Sequence, residues 1–207
     1  MTVTNNTIVV AISGKGRSLY NLLQQQAIYS YKIIGVISSS SKCEGLKIAY
    51  EYGVSVFIGK FNNINNSNSE LYSWLKALNP RLVALAGFLK PMPIFDEFKN
   101  RVINIHPSLL PKFGGKGFYG LRVHEAVIKA KETVSGATVH FINEKYDEGQ
   151  IIAQIKVKVL AGDTPVKLAD RVFEAECYMY PKVIDALIKG LLPLPNNEIK
   201  YFSLDKD

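Results

Sequence analysis

Ile8-Val9-Val10-Ala11-Ile12-Ser13-Gly14-Lys15-Gly16-Arg17-Ser18-Leu19 is the stretch on which the fold turns. A short β-branched apolar run ending in Ser-Gly reads as a buried strand arriving at a turn. Leu19, Leu22, Leu23 and Ala27 then recur at helical spacing, so the turn opens a helix. Further on, residues 32–38 give a second strand, 46–52 a helix closed by Gly53, and 54–58 a third strand. Residues 61–69 are Asn-rich and expected as an exposed loop. Leu71, Trp74, Leu75 and Leu78 mark a helix ending before Pro80, and residues 82–86 resume the sheet. Continuous apolar strands alternating with helices predict an α/β fold: a Rossmann-like, mostly parallel sheet with helices on both faces.

Past Val102-Ile103-Asn104 the pattern changes. A Gly-rich loop over 111–120 leads into a helix over 121–130. Two strand runs, 138–142 and 151–159, are expected to extend the sheet antiparallel. Asp163-Thr164-Pro165 starts a long helix, a cap followed by proline in the first turn, with Leu168, Val172, Ala175 and Met179 at helical spacing. Pro181 is expected to kink or split that helix, which otherwise reaches Gly190. The organisation expected is one domain over 1–207. Within it, residues 1–100 form a Rossmann-like phosphate-binding half, 101–190 a half that carries the chemistry, and 191–207 a peripheral tail.

With 207 residues, 47% of them apolar, the chain can bury a substantial core. No apolar run approaches the roughly 20 residues of a membrane span, and the polar start of the chain predicts a cytoplasmic protein without a membrane partner. Two cysteines, Cys43 and Cys177, make neither a C-x-x-C metal site nor a disulfide framework. The net charge of +7 comes from scattered basic residues rather than a stripe, which argues against nucleic acid as partner and for small anionic ligands.

Gly14-Lys15-Gly16-Arg17-Ser18 sits where a strand gives way to a helix, so backbone N–H groups can point at an anion. A dinucleotide site would want a further glycine where Leu19 stands and an acidic residue where Ser38 to Ser41 stand; a walker-type loop would end in Gly-Lys-Ser/Thr. A monophosphate site survives, with a purely structural glycine turn as the alternative. Asn104-Ile105-His106 follows a strand, so Asn104 and His106 point the same way, toward the end of an open α/β sheet where ligands bind. An amide donor and a proton-carrying imidazole suit the tetrahedral intermediate of acyl transfer. Asp147-Glu148-Gly149 reads either as a hairpin turn or as a source of a carboxylate that raises the His106 pKa. Taken on residue type alone, His106, His124 and His140 are each either structural or functional. Spacings of eighteen and sixteen residues between the three histidines match no local metal pattern.

Asn104-Ile105-His106-Pro107-Ser108-Leu109-Leu110-Pro111, with Ser13-Gly14-Lys15-Gly16 before it and Gly136-Ala137-Thr138-Val139-His140 and Asp147-Glu148-Gly149 after it, resembles the phosphoribosylglycinamide formyltransferases. The resemblance runs from about Ile8 to Gly190, and its octapeptide is specific to folate-dependent formyl transfer enzymes. It implies transfer of the formyl group of 10-formyltetrahydrofolate to the amine of glycinamide ribonucleotide in purine biosynthesis, with no metal. Asn104, His106 and Asp147 match the family's catalytic residues. Asn104 and protonated His106 would stabilise the oxyanion, while Asp147 would support His106 and order a proton-relaying water. Gly16, Arg17 and Ser18 would hold the substrate phosphate, and Glu176 the glycinamide end. Leu89, Lys90, Pro91, Met92, Asn104, Ile142, Asn143, Glu144, Tyr146 and Asp147 match the folate pocket. Lys60 is the nearest candidate for a basic residue that the family uses after its third strand. Arg17-Ser18 stands where the family usually has Ser-Asn, and Pro91 is unusual in the folate segment.

Three other readings meet obstacles. Methionyl-tRNA formyltransferases share this core but carry an additional C-terminal domain. Formyltetrahydrofolate deformylase carries an N-terminal regulatory domain, whereas the first strand here is expected at about Ile8. A non-catalytic nucleotide-binding module leaves Asn104, His106 and Asp147 together without a purpose.

Overall fold

Strand β1 (Thr7–Ile12) lies between two parallel neighbours, β2 (Lys32–Ser38) and β4 (Leu82–Leu85), and Ile8 to Ile12 are completely buried. A strand covered on both faces has no use for polar alternation, which is why its sequence reads as an unbroken apolar run. The computed structural model describes residues 6–61, 69–192 and 199–202. It divides into two units: the described residues of Met1–Ile103 with Ile184–Leu194, and those of Asn104–Val183 with Pro195–Asp207.

In the first unit the strand order is β3-β2-β1-β4-β5, where β3 is Ser55–Ile58 and β5 is Val102–His106, the strand within which the chain leaves this unit. The helices are α1 (Arg17–Gln25), α2 (Leu46–Glu51) and α3 (Ser69–Leu78). They take opposite faces of the sheet. Trp74 of α3 packs so tightly on Gly35 of β2 that a Cβ there would meet its ring at 2.6 Å. On the other face Ile12, paired with Ser38 across the strands, reaches Gly45 at the start of α2. Side chains three residues apart on β2 point to opposite faces, so α2 and α3 sandwich the sheet as expected.

The second unit takes β5 onward as β5-β6-β7-β8, with β6 (Val134–Phe141) and β7 (Ile151–Lys158) antiparallel and β8 (Lys200–Phe202) parallel to β7. Helix α4 spans Leu121–Lys129 and α5 spans Pro165–Ile188. Thr164 Oγ1 accepts the Lys167 N–H, a cap that satisfies one of the free amides of the first turn. Leu168, Val172, Ala175 and Met179 are fully buried. At roughly 1.5–3 kcal/mol for each large apolar side chain, that stripe is what holds α5 in place.

The structure departs from the sequence reading at several points. Pro181 does not split α5, which is one uninterrupted helix. A proline removes a single i→i−4 bond, and the buried Met179, Tyr180 and Val183 around it hold the helix against that loss. Ala27 lies beyond α1 and is exposed, because Ile28 and Tyr29 donate to the Gln25 carbonyl and end the helix there. Phe61, in the loop after β3, is buried edge-on to Phe88 with ring centroids 5.0 Å apart rather than exposed; residues 62–68 of that expected loop lie outside the described residues. Of the tail expected to be peripheral, residues 200–202 form β8 at the edge of the sheet, beside β7. Among the described residues no helix is long and apolar enough to cross a membrane.

Candidate active site

In the first unit the strand order reverses between β1 and β4, the switch point at which open α/β sheets hold ligands beyond the strand carboxyl ends. Two expected segments meet there. Ser13 after β1 donates its N–H to the Gly87 carbonyl, and its Oγ accepts the Leu89 N–H at 3.0 Å. The phosphate-type loop therefore lies against the Leu89-Lys90-Pro91-Met92 segment. Gly16 caps α1 with φ +76° and, lacking a side chain, makes no side-chain cap, and no acidic residue stands in the first turn. The positive end of a helix entered in this way favours an anion. Gly16 packs on Gly45 so closely that a Cβ on either would come within 2.9 Å of the other's Cα. Gly45 N–H and the Cys43 thiol both donate to the Gly14 carbonyl, fixing the loop from behind. Arg17 and Lys15 are exposed beside it.

Asn104 and His106 lie within β5 rather than after it, two residues apart and so on one face. Asp147, at φ +58°, comes from the β6–β7 connection. Its Oδ2 is 3.5 Å from His106 Nδ1, and its Oδ1 is 3.6 Å from His140 Nε2. The second unit thus gathers all three expected catalytic residues and adds His140. His140 Nδ1 donates to the Phe141 carbonyl at 2.8 Å, leaving Nε2 to accept from Asn104 Nδ2 at 3.1 Å. The amide of Asn104 is held with nitrogen toward His140, and its second N–H stays available to an oxyanion. His106 Nε2 donates to the Phe113 carbonyl at 2.9 Å, and Gly115 N–H donates to Asp147 Oδ2 at 2.8 Å. Behind these groups Thr138 Oγ1 donates to the Ser108 carbonyl and accepts from Leu110 N–H, while Gln154 donates to Thr138 and to the Leu110 carbonyl. This buried network anchors the Pro107–Pro111 segment to β6 and β7.

Burial pushes the His106 imidazole below its ordinary range; Asp147 and the Phe113 carbonyl pull it up, His140 pushes it down, and burial wins. Asp147 acts on His106 in the expected upward direction, but burial outweighs it and the net shift is downward. Burial also pushes the Asp147 carboxyl up, but His140, His106 and the Gly115 amide together hold it below the usual carboxylate value. At neutral pH the pair therefore rests as a carboxylate beside a largely neutral imidazole. With Nε2–H committed to Phe113, the Nδ1 lone pair faces the carboxylate, and a proton arriving at Nδ1 turns that contact into a charge-assisted bond.

Comparison with known proteins decides what this arrangement belongs to. The family profile described as "Formyl transferase" matches residues 6–184. The chain belongs to the formyl transferase family. Within it, the chain is 37% identical over 195 residues to the chloroplastic phosphoribosylglycinamide formyltransferase of Vigna unguiculata, covering 90% of this chain but only 62% of that relative. It spans, then, less than two thirds of that relative's length. It is 34% identical over 197 residues to the phosphoribosylglycinamide formyltransferase of Haemophilus influenzae, covering 92% of this chain and 91% of the other. The crystal structure of phosphoribosylglycinamide formyltransferase from Anaplasma phagocytophilum superposes with a TM-score of 0.83 at 31% identity, over 96% of this chain and 98% of that one. The α/β fold with a mostly parallel sheet is shared with that formyl transferase.

The remaining residues singled out in the sequence are spread over both units of this formyl transferase. Met92 is buried while Leu89 and Lys90 are exposed, and Lys60 is exposed just past β3. Asn143, Glu144 and Tyr146 are exposed in the β6–β7 connection, with Ile142 half-buried, and Glu176 is half-buried on α5. Sequence reasoning gave no role to the Phe113 carbonyl, the Gly115 amide or His140. Backbone groups leave no residue-type signal; the run of glycines at 114, 115 and 117 was the one available hint.

Proposed function

We propose that this formyl transferase moves the formyl group of 10-formyltetrahydrofolate onto the amine of glycinamide ribonucleotide, giving formylglycinamide ribonucleotide and tetrahydrofolate in cytoplasmic purine biosynthesis. The observation that carries this reading is the convergence of Asn104, His106 and Asp147, with His140 orienting the Asn104 amide. A folate donor supplies an activated formyl carbonyl, and the donor set fits it: one free amide N–H, one titrating imidazole and one ionised carboxylate. Asn104 offers that N–H where negative charge develops on oxygen. Asp147 supports His106 and orders a water that takes the proton the attacking amine must lose and returns it to the folate nitrogen as its bond to the formyl carbon breaks, while His106 carries charge at Nδ1. Gly16, Arg17 and Ser18 take the phosphate at the α1 N-terminus, and Glu176 takes the glycinamide end. Leu89, Lys90, Pro91, Met92, Ile142, Asn143, Glu144 and Tyr146 line the folate, with Lys60 toward its acidic tail. Neither a metal nor a nucleic acid enters this scheme.

The test is to incubate the purified protein with 10-formyltetrahydrofolate, with and without glycinamide ribonucleotide, and follow folate spectroscopically. Turnover that depends on the amine is the expected result. Equal loss of the formyl group without the amine would replace this reading with a hydrolase.

A further inference from the structure

We propose that the Phe113–Gly115 turn is the positioning element for the His106–Asp147 pair, and that Gly114 is the residue whose lack of a side chain lets the turn close on them. The proposal rests on the reading of His106 and Asp147 as working residues of formyl transfer.

One turn supplies both contacts. The Phe113 carbonyl accepts from His106 Nε2 at 2.9 Å, and two residues on the Gly115 N–H donates to Asp147 Oδ2 at 2.8 Å. That is the carboxylate oxygen 3.5 Å from His106 Nδ1, so the turn touches acid and base together. The shape is not relaxed. Phe113 sits at φ +56°, a left-handed conformation that a bulky residue rarely adopts and that persists only where surroundings impose it. Here Ser108 Oγ donates to the Lys112 carbonyl at 2.7 Å, and the Phe113 ring meets Phe118 at 6.4 Å between centroids.

Gly114 is required for space alone, since its own backbone is not left-handed. A Cβ there would lie 2.4 Å from Leu110 Cδ2 and 3.2 Å from Asp147 Cβ. Leu110 is buried, so its side chain has little room to give, and a methyl group would press the turn away from Asp147. Both backbone contacts would lengthen at once. The chemical consequence is specific. A carbonyl can only accept, so the Phe113 contact fixes the neutral imidazole as the Nε2–H tautomer and leaves Nδ1 as the nitrogen that titrates against Asp147.

The experiment uses the full chain with ¹⁵N-labelled histidine, whose three imidazoles are resolved by NMR, His106 being assigned by its loss in His106→Gln. Wild type is expected to show neutral His106 as the Nε2–H tautomer. In Gly114→Ala the tautomers should mix and the His106 pKa should fall. The kcat for formyl transfer should drop by roughly 10- to 100-fold, the scale of a small misplacement at a reacting centre, while KM for the phosphorylated amine holds. Lys116→Ala, exposed in the same loop, should behave as wild type in every readout. An Nδ1–H tautomer in wild type overturns the proposal even if Gly114→Ala does not fold. A Gly114→Ala protein with unchanged His106 titration and kcat overturns it too. Absence of formyl transfer by wild type would instead strike the proposed function, because the tautomer and titration are read without turnover.

Discussion

Asp147 Oδ2 accepts the Gly115 N–H at 2.8 Å and stands 3.5 Å from His106 Nδ1, so a single carboxylate oxygen faces both a fixed amide and a titrating imidazole. Asp147→Asn keeps the shape and removes the charge. Because Asp147 opposes the effect of burial on His106, its loss lets the imidazole pKa fall further. The limb of the kcat–pH profile that depends on His106 should move to lower pH in a steady-state series. A superimposable profile would mean that the two groups are not coupled in turnover.

Asn104 is held by His140 with one N–H spare. Asn104→Ala should lower kcat by roughly 10²–10³, the usual loss for one oxyanion donor. Thermal melting should move little, since Asn104 is only half-buried on β5. A large fall in melting temperature with kcat preserved would assign Asn104 to structure.

His124 on α4 is buried, and its Nδ1 has no hydrogen-bond partner among the described residues. Burial, with His106 adding to it, pushes its pKa down to about 4. The unfolded chain binds a proton on His124 at about pH 6.5, well before the folded chain does. The contribution of the neutral form is therefore complete above that pH, is lost as pH falls toward about 4, and changes no further below. His124→Leu should shrink the drop in denaturant-derived stability across that window. At neutral pH it should stay within about 1.5 kcal/mol of wild type, because Nδ1 has no bond to lose. An equally steep acid limb in the variant would place the titration elsewhere.

The alternation of strands and helices was legible because burial on both faces leaves continuous apolar runs, as in β1 and β4. Asn104, His106 and Asp147 could be singled out because their residue types suit acyl transfer, and the fold brings them together. What holds them was not legible. Phe113 and Gly115 act through backbone atoms, and Gly114 acts by lacking a Cβ, so no side-chain chemistry announces them. The net direction of the His106 shift was hidden for a related reason: residue types can suggest a neighbouring carboxylate, but the burial that outweighs it comes from the fold. Pro181 looked like a breaker because propensity ignores the buried stripe that carries α5 past it.

Gly45 offers a test of the proposed phosphate loop without touching a polar group. Its backbone, at φ −63° and ψ −12°, suits alanine, and Gly→Ala at such a position should stabilise by about 0.4–1 kcal/mol through the unfolded chain. Space argues the other way. The new methyl would lie 2.8 Å from Ile12 Cδ1, 2.9 Å from Gly16 Cα and 3.0 Å from Gly16 N. Two of those atoms are backbone of the loop and Ile12 is fully buried, so neither side gives easily. Overpacking of this kind costs about 1–3 kcal/mol, and Gly45→Ala should melt below wild type. The strain falls on Gly16, whose φ of +76° aims the first amides of α1. KM for the phosphorylated amine should therefore rise several-fold while kcat at saturation is kept, the signature of binding lost equally from ground and transition states. A higher melting temperature with unchanged KM would mean that α2 simply moves aside and that Gly45 has no part in shaping the phosphate loop.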